Sequence, residues 1–536
     1  MKRKTVALVL ALAVLPGLAA ASPLPLVPRP VKLEPLSGSF PAASARIMLA
    51  PDASEQEKTT ARIFAEKAHA RNGLNLAIGT AAPGADCQGN ILVGGAVELC
   101  GRAAELPAGD VPAEEGYKLT VKPDGVLLLG SPHGLHNGFA TLLQLIAAGK
   151  DQAIPAVAIF DYPRFPWRGM LLDPARSFLP PDVIKKYIDI FADLKINRLH
   201  WHLVDDQGWR IESKVYPRLH EVGGILSNQN KKKNRALDRH GWGADGRGYY
   251  TQEELKEIVA YAAERHVMIV PEIDVPGHTS AMIAAYPELQ CSGEQITVPG
   301  VGPGIARALC PGKEEVYVFL DNLFGEIASI FPAPYVHIGG DEVWVTNWMS
   351  APQNQELIKK YGYTNNDGLQ SYFTERVNQI LQKRGKTMIG WDEITDYLPE
   401  DSIVQAWRKH SFALQAAEAG HYSVVSPTSH CYIDYPQLQF TVKKLYGFEP
   451  LPPGLKPELE KFVLGAEVNL WGERVTLDNI DSKAFPRLIA LAEITWSPRD
   501  ARDWNDFVAR LAPVKKDMKK RGVKFGTTWR DILLLP

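Results

Sequence analysis

What most constrains this chain is a recurrence. From Pro163 onward, short apolar runs alternate with amphipathic stretches, and eight such runs follow one another at 169–173, 198–205, 267–274, 335–341, 387–392, 402–407, 421–426 and 463–471. Runs of this length and apolarity suit strands buried on both faces, as parallel strands are. Helical periodicity marks 182–194, 251–265 and 369–384 between them, and 483–494 after the last. The crossovers after the fifth and seventh runs are irregular. Eight strands with intervening helices over roughly 370 residues fit one (β/α)8 barrel with insertions, of which 223–247, rich in Gly, Asn and Lys, reads as one.

The chain ahead of the barrel reads differently. Segments 46–50, 90–94 and 117–121 look like strands, 125–130 completes a hairpin with the last of these, and 54–71 and 133–148 look helical. The predicted fold class is α/β: a (β/α)8 TIM barrel over 163–536, preceded by a small α+β domain over 22–162 that lacks a dense cluster of reactive side chains. Residues 1–21 read as a signal peptide. Lys2, Arg3 and Lys4 precede the apolar run 6–15, and Ala19-Ala20-Ala21 offers a cleavage site. The apolar run falls short of the ~20 residues that span a bilayer. A soluble, exported protein is expected, periplasmic or secreted, without a membrane anchor.

Export permits disulfides. Of the five cysteines, Cys87–Cys100 and Cys291–Cys310 are the economical pairs, each closing one local loop, and Cys431 is left as a free buried thiol. His430 is its neighbour in sequence, but adjacent residues on an extended segment face opposite ways, which argues against an activated nucleophile. A net charge of -2 and a pI near 6.7 give no electrostatic reason to expect nucleic acid as a partner. The basic run Lys231-Lys232-Lys233 lies in a polar stretch and reads as a solvated loop.

Function is legible at the strand ends, because barrels of this kind place their active sites at the carboxyl ends of the strands. The first run ends in Asp173 and leads to Arg176. The second ends in Asp205-Asp206, and the third in Asp274 with His278 close behind. The fourth delivers His337-Ile338-Gly339-Gly340-Asp341-Glu342. The fifth and sixth end near Trp391 and Trp407, Tyr432 and Asp434 follow the seventh, and the eighth ends in Trp471 with Glu473 beyond it. Two adjacent carboxylates in one small site can have their pKa values pushed apart, so that one stays ionised while the other carries a proton. Three tryptophans from three strand ends can wall a pocket, with carboxylates and Arg176 as directional partners for hydroxyls. Together these suit a sugar ring and an acid/base hydrolase.

The motifs resemble glycoside hydrolase family 20, the β-N-acetylhexosaminidases, as found in exported bacterial members. The matching segments are Arg168-Gly169-Met170-Leu171-Leu172-Asp173 with Arg176, His200-Trp201-His202-Leu203-Val204-Asp205-Asp206, and Pro271-Glu272-Ile273-Asp274-Val275-Pro276-Gly277-His278. To these are added the Asp341-Glu342 motif, Gly390-Trp391-Asp392-Glu393, Trp407, Tyr432-Ile433-Asp434 and Leu470-Trp471-Gly472-Glu473. The resemblance runs from about Pro25 to the C-terminus, small domain included. It implies an exo-acting enzyme that releases terminal β-linked GlcNAc or GalNAc from oligosaccharides, chitooligosaccharides among them. The implied mechanism is retaining and substrate-assisted, with no cofactor and no metal. In that scheme Glu342 is the acid/base, Asp341 orients the acetamido N–H, and Tyr432 donates to the acetamido oxygen. His278, oriented by Asp205, tunes the proton on Glu342. Trp391, Trp407 and Trp471 hold the methyl group and sugar face, and Arg176, Asp434 and Glu473 bind hydroxyls. Arg168 and Asp173 read as structural ion-pair members. Many members carry histidine after the sugar-binding arginine, whereas here Ser177 follows Arg176.

Two other readings compete. His200, His202, His278 and His337 beside Asp205, Asp274 and Asp341 suit a metallohydrolase, although no HExxH or cysteine cluster is present and the tryptophans then have no role. A sugar-binding protein without catalysis is the second, although both carboxylates of the pair are present.

Overall fold

The computed structural model describes residues 24–81, 88–94, 114–149, 151–225, 247–300, 307–345 and 347–526. The leader segment, the Cys87–Cys100 pairing and the run Lys231-Lys232-Lys233 lie outside the described residues.

The first part of the chain builds a seven-stranded mixed sheet from β1 (Lys32–Pro41), β2 (Arg46–Leu49), β3 (Ala77–Thr80), β4 (Ile91–Gly94), β5 (Tyr117–Lys122), β6 (Gly125–Gly130) and β7 (Ala153–Asp161), in the order β1-β7-β5-β6-β4-β2-β3. Helices α1 (Glu55–Asn72) and α2 (Pro132–Ala148) pack together, with Phe64 stacked on Phe139 at 4.2 Å. A capping box starts α1: Ser54 accepts from the Glu57 N–H while the Glu57 side chain accepts from the Ser54 N–H. Caps of this kind contribute about 1 kcal/mol. The sequence left β1, β3 and β7 unread. Most of β1 and β3 is exposed, so their residues carry a weak apolar pattern.

The second part closes a parallel barrel. Its strands are β8 (Trp167–Leu172), β9 (Arg198–His202), β12 (Met268–Glu272), β13 (Tyr335–His337), β14 (Thr387–Trp391), β15 (Ile403–Ala406), β16 (Ser423–Val425) and β17 (Val463–Leu470), and β17 pairs back onto β8. A short hairpin of β10 (Val204–Asp205) and β11 (Gly208–Trp209) sits above β9. All eight predicted barrel runs became strands. The helix read at 483–494 is split into Ile480–Ala484 and Arg487–Trp496, because Pro486 cannot continue the first.

The barrel interior is divided along its axis. At the amino end Trp167, Val270, Ile389, Ile403 and Val424 form an apolar plug. Towards the carboxyl end the inward residues are His200, His202, Glu272, His337, Gln405, Glu467 and Asn469, all buried. Parallel register aligns them, since His202 pairs with Glu272 and Glu272 with His337. Gly169 makes room for this layer, because a Cβ there would stand 2.5 Å from Glu467 Oε2. A barrel centre of this kind is normally filled by branched apolar residues. Here ionisable groups fill the half that faces the rim.

The two parts are joined by buried charge pairs. The Arg168 guanidinium clasps the Glu115 carboxylate, and its Nε donates to the Lys195 carbonyl at 2.7 Å. Lys195 Nζ donates to Asp161 Oδ2 at 2.8 Å, and Trp496 Nε1 donates to Asp161 Oδ1 at 2.9 Å. Trp496 comes from a barrel helix yet lies in the hydrophobic core of the small domain. Beside this seam, between α1, α2 and the helix Trp504–Lys520, lies a cavity of about 780 Å³ that is remote from the barrel rim. No helix among the described residues is long and apolar enough to cross a membrane.

Candidate active site

The rim is built by the turns that leave the strands. After β13 the chain crosses Gly339 and Gly340 at φ +66° and +90°. A Cβ on Gly339 would stand 1.9 Å from Asp274 Oδ1, so glycine is required there by space as well as by backbone conformation. The Gly340 N–H donates to that same Asp274 oxygen at 3.2 Å, and the Gln370 amide donates to the Gly340 carbonyl at 2.7 Å. The turn is thereby fixed, and it presents Asp341 and Glu342 to the barrel mouth. Glu342 has φ 51° and the facing His278 φ 52°. Left-handed backbone at a residue with a side chain costs about 1–2 kcal/mol, and here two such residues meet.

His278 Nε2 lies 3.7 Å from Asp341 Oδ2 and 3.7 Å from Glu342 Oε2. Both carboxylates therefore stand on one side, against one imidazole. His278 Nδ1 faces Asp205 Oδ1 at 3.3 Å and Asp206 Oδ2 at 3.5 Å. Burial works against charge on this ring, but Asp205 and Asp341 outweigh it and hold the His278 pKa well above its ordinary value. Asp341 is almost enclosed, with a side chain 14% exposed, whereas that of Glu342 is 34% exposed. Burial raises the Asp341 pKa to about 6; His278 opposes the rise, and Glu272 and Glu342 add to it. Asp341 Oδ1 is buried without a hydrogen-bond partner. In a folded protein such an acceptor is rare, and it marks a place where another donor fits.

Beneath this pair runs a ladder of imidazoles and carboxylates. His202 lies between Glu272 and Asp205, with Nδ1 against the first and Nε2 2.8 Å from the second. His200 faces Glu467 Oε1 at 2.6 Å through Nδ1 and Glu272 Oε2 at 2.9 Å through Nε2. His337 Nδ1 lies 3.2 Å from Glu272 Oε1, and Trp391 Nε1 donates to that oxygen at 2.9 Å. These groups are close enough to resemble metal sites: His200/Glu272/His337, His202/Asp205/Asp274, Asp205/Asp206/His278 and Asp274/His278/Asp341. Despite burial, the flanking carboxylates raise the pKa of His200 to about 9 and that of His202 well above its ordinary value. Burial, by contrast, lowers the pKa of His337 in the first of these groups.

The aromatic wall is continuous. Trp391 and Trp471 have ring centroids 5.8 Å apart, Trp471 and Tyr432 6.2 Å, and Tyr432 and Trp407 6.3 Å. Trp407 is held by the Glu393 carboxyl, which accepts from its Nε1 at 3.0 Å. Burial, with Asp341 and Asp392 nearby, pushes the Glu393 pKa up to about 8. Arg176 lies over Trp471 at 5.2 Å. It pairs with Asp173 at 3.2 Å and with Asp205, and its Nε donates to Gln207 at 3.0 Å. Arg176 and His278 are thus joined through Asp205, a link the sequence did not reveal. Asp434 pairs with Arg474 at 3.2 Å, and its other oxygen is buried without a partner. Burial and then Glu473 raise its pKa to about 6.

The rim brings Asp205, His278, Asp341, Glu342, Arg176, Trp391, Trp407, Tyr432, Asp434 and Trp471 together. Glu473 is exposed at the edge, within electrostatic reach of Arg176 and Asp434. Asp173 anchors Arg176 and also accepts from the Gly472 N–H at 2.8 Å, tying the first strand end to the last. Sequence reading gave no role to Glu272 or Glu393. Glu272 had a signal: a lone acid in an otherwise apolar strand, two residues before Asp274 and so on the same face. Cys431 is free and buried, and burial raises its thiol pKa well above normal, so it is not an activated nucleophile. The Cys291–Cys310 disulfide is formed.

Comparison with known proteins gives a consistent picture. Residues 165–499 match the model of the glycosyl hydrolase family 20 catalytic domain, and residues 24–162 match that of the family's domain 2. The chain is 37% identical over 519 residues to a Porphyromonas gingivalis β-hexosaminidase, covering 92% of this chain but 63% of that protein, so the relative extends well beyond the match. It is 32% identical to a Cellulomonas fimi β-N-acetylhexosaminidase, with 91% of this chain and 92% of that protein covered. A crystal structure of an exo β-N-acetylglucosaminidase from Vibrio harveyi with bound N-acetylglucosamine superposes with a TM-score of 0.79 at 30% identity, covering 94% of this chain and 79% of the other.

Proposed function

The chain belongs to glycosyl hydrolase family 20, and from that premise we propose that it is an exo-acting β-N-acetylhexosaminidase, releasing terminal non-reducing β-linked GlcNAc or GalNAc from oligosaccharides or glycoconjugates with retention. The observation that carries the mechanism is the placement of Asp341 and Glu342 on one side of the mouth, each 3.7 Å from the same imidazole nitrogen. An ordinary retaining enzyme needs two carboxyl groups ~5–5.5 Å apart on either side of the scissile bond, and an inverting one needs a wider gap. A pair that shares one side needs its nucleophile from the substrate.

The 2-acetamido carbonyl oxygen supplies it. That oxygen attacks C1, the bond from C1 to the leaving oxygen breaks, and Glu342 gives its proton to that oxygen. The product is a cyclic oxazolinium ion. Water, losing a proton to Glu342, then attacks C1 from the vacated side and reopens the ring to the amide. Asp341 takes the acetamido N–H on its unpartnered Oδ1 and stabilises the positive charge of the intermediate from a nearly water-free site. Tyr432 donates to the acetamido oxygen, and Trp391, Trp407 and Trp471 enclose the methyl group. Asp434, with a free buried oxygen, takes ring hydroxyls along with Arg176 and Glu473. Asp205 and the ladder below it keep His278 cationic beside Glu342. The apolar leader and the Cys291–Cys310 disulfide support export to an oxidising compartment.

The test is hydrolysis of a chromogenic β-N-acetylglucosaminide beside the matching β-glucoside, with and without chelator. Cleavage of the acetamido sugar alone, unchanged by chelator, is the expected result. Cleavage of both sugars would mean an enzyme nucleophile and would overturn the mechanism.

A further inference from the structure

Trp344 is the only exposed tryptophan among the described residues, with 68% of its surface open, and it stands two residues beyond Glu342. The backbone puts it there. The Trp344 N–H donates to the Glu342 carbonyl at 2.7 Å, closing a tight turn directly after the left-handed Glu342. The residues on either side of it point inward. Val345 is buried, in one apolar cluster with Cys291, Cys310, Trp348, Ala351 and Leu369, and Val343 packs against that cluster. The Cys291–Cys310 disulfide belongs to this cluster and is further fixed by the Gln353 amide, which donates to the Cys291 carbonyl at 3.1 Å. The turn carrying the paired carboxylates is therefore mounted on a cross-linked base, and the one large apolar side chain it does not bury is Trp344.

We propose that Trp344 is the stacking platform for the leaving-group sugar, so that the enzyme is built for substrates whose terminal residue is linked to another pyranose. This rests on the functional reading above. Glu342 delivers its proton to the leaving oxygen, so the leaving group departs on the side of Glu342, the more open of the paired carboxylates. A residue two positions on, held by a turn closed on the Glu342 carbonyl, borders that exit. A pyranose presents a face of C–H groups that matches an indole face, and covering an exposed tryptophan removes a large apolar area from water. No other exposed large hydrophobic side chain among the described residues lies so near Glu342 in the chain; Val318 and Tyr361 are the next in sequence on either side.

The experiment compares Trp344→Ala and Trp344→Phe with the parent on N,N′-diacetylchitobiose and on methyl β-N-acetylglucosaminide, whose leaving group has no ring. Thermal melting serves as the folding control. Parent activity on the methyl glycoside tests the functional reading by itself; the ratio between substrates tests Trp344. The expected result is a kcat/KM for the disaccharide that falls about five- to tenfold further than that for the methyl glycoside in Trp344→Ala, mainly through KM. Trp344→Phe recovers most of the loss. Equal losses on both substrates, or no loss on the disaccharide, would overturn the proposal.

Discussion

The seam between the two domains and the rim of the barrel are both rich in buried charge, and they use it in opposite ways. At the seam, charges are paired with opposite partners: Arg168 with Glu115, Lys195 with Asp161, and Arg510 with Glu493 close by. At the rim, acids crowd one another. Asp274, Asp341, Glu393 and Asp434 are all raised in pKa by burial and, after it, largely by neighbouring carboxylates. Asp341 and Asp434 each keep a buried oxygen without a partner. Balanced charge locks a structure together. Unbalanced charge in a fixed frame is a site waiting for a ligand that supplies the missing donors.

Substitutions can break this contrast from either side. The largest expected effect is on the rim: Glu342→Gln keeps the shape but removes the transferable proton, and kcat/KM should fall about 10²–10⁴-fold, most for poor leaving groups. Steady-state kinetics on sugar and aryl leaving groups would show it, and parent-like rates would sink the assignment. At the seam, Arg168→Met leaves Glu115 buried without its cation. Unfolding by denaturant should register a loss of about 3–5 kcal/mol, while the folded protein keeps its KM. A smaller effect is expected at Glu393. Glu393→Ala frees the Trp407 ring and should raise KM a few-fold, whereas Glu393→Gln still offers an acceptor to Trp407 Nε1 and should behave like the parent near pH 7, where the raised pKa of about 8 keeps the carboxyl protonated.

The seam and the rim also differ in how far the sequence revealed them. The rim was legible because strand ends place chemistry in the sequence at regular intervals: Asp205, Asp274, Asp341 and Trp471 each close an apolar run, and the barrel brings the runs together. The connections between those groups were not legible. That Asp205 serves both Arg176 and His278, or that Glu272 joins three histidines, depends on strand register and not on spacing. The seam was invisible for the same reason. Glu115 and Arg168 are 53 positions apart, and Asp161 meets a tryptophan 335 positions away. In the small domain β1 and β3 escaped notice because most of each lies exposed, without the apolar run that a buried strand shows.

The rim holds its charge at a cost to the fold, and Asp341 tests this most directly. Its folded pKa of about 6 lies above the ordinary carboxylate value, so its contribution to stability is present at low pH and is lost as pH rises from about 4 through 6. The acid limb of kcat/KM in the parent should fall in the same window, as Asp341 takes up a proton. The decisive measurement is the stability and turnover of Asp341→Asn, followed from pH 4 to pH 7.5. The expected outcome is a variant with crippled turnover that is more stable than the parent at pH 7, by roughly 1–3 kcal/mol, with the gain vanishing near pH 4. A variant that loses stability at pH 7, or that turns over acetamido sugars as the parent does, would contradict it.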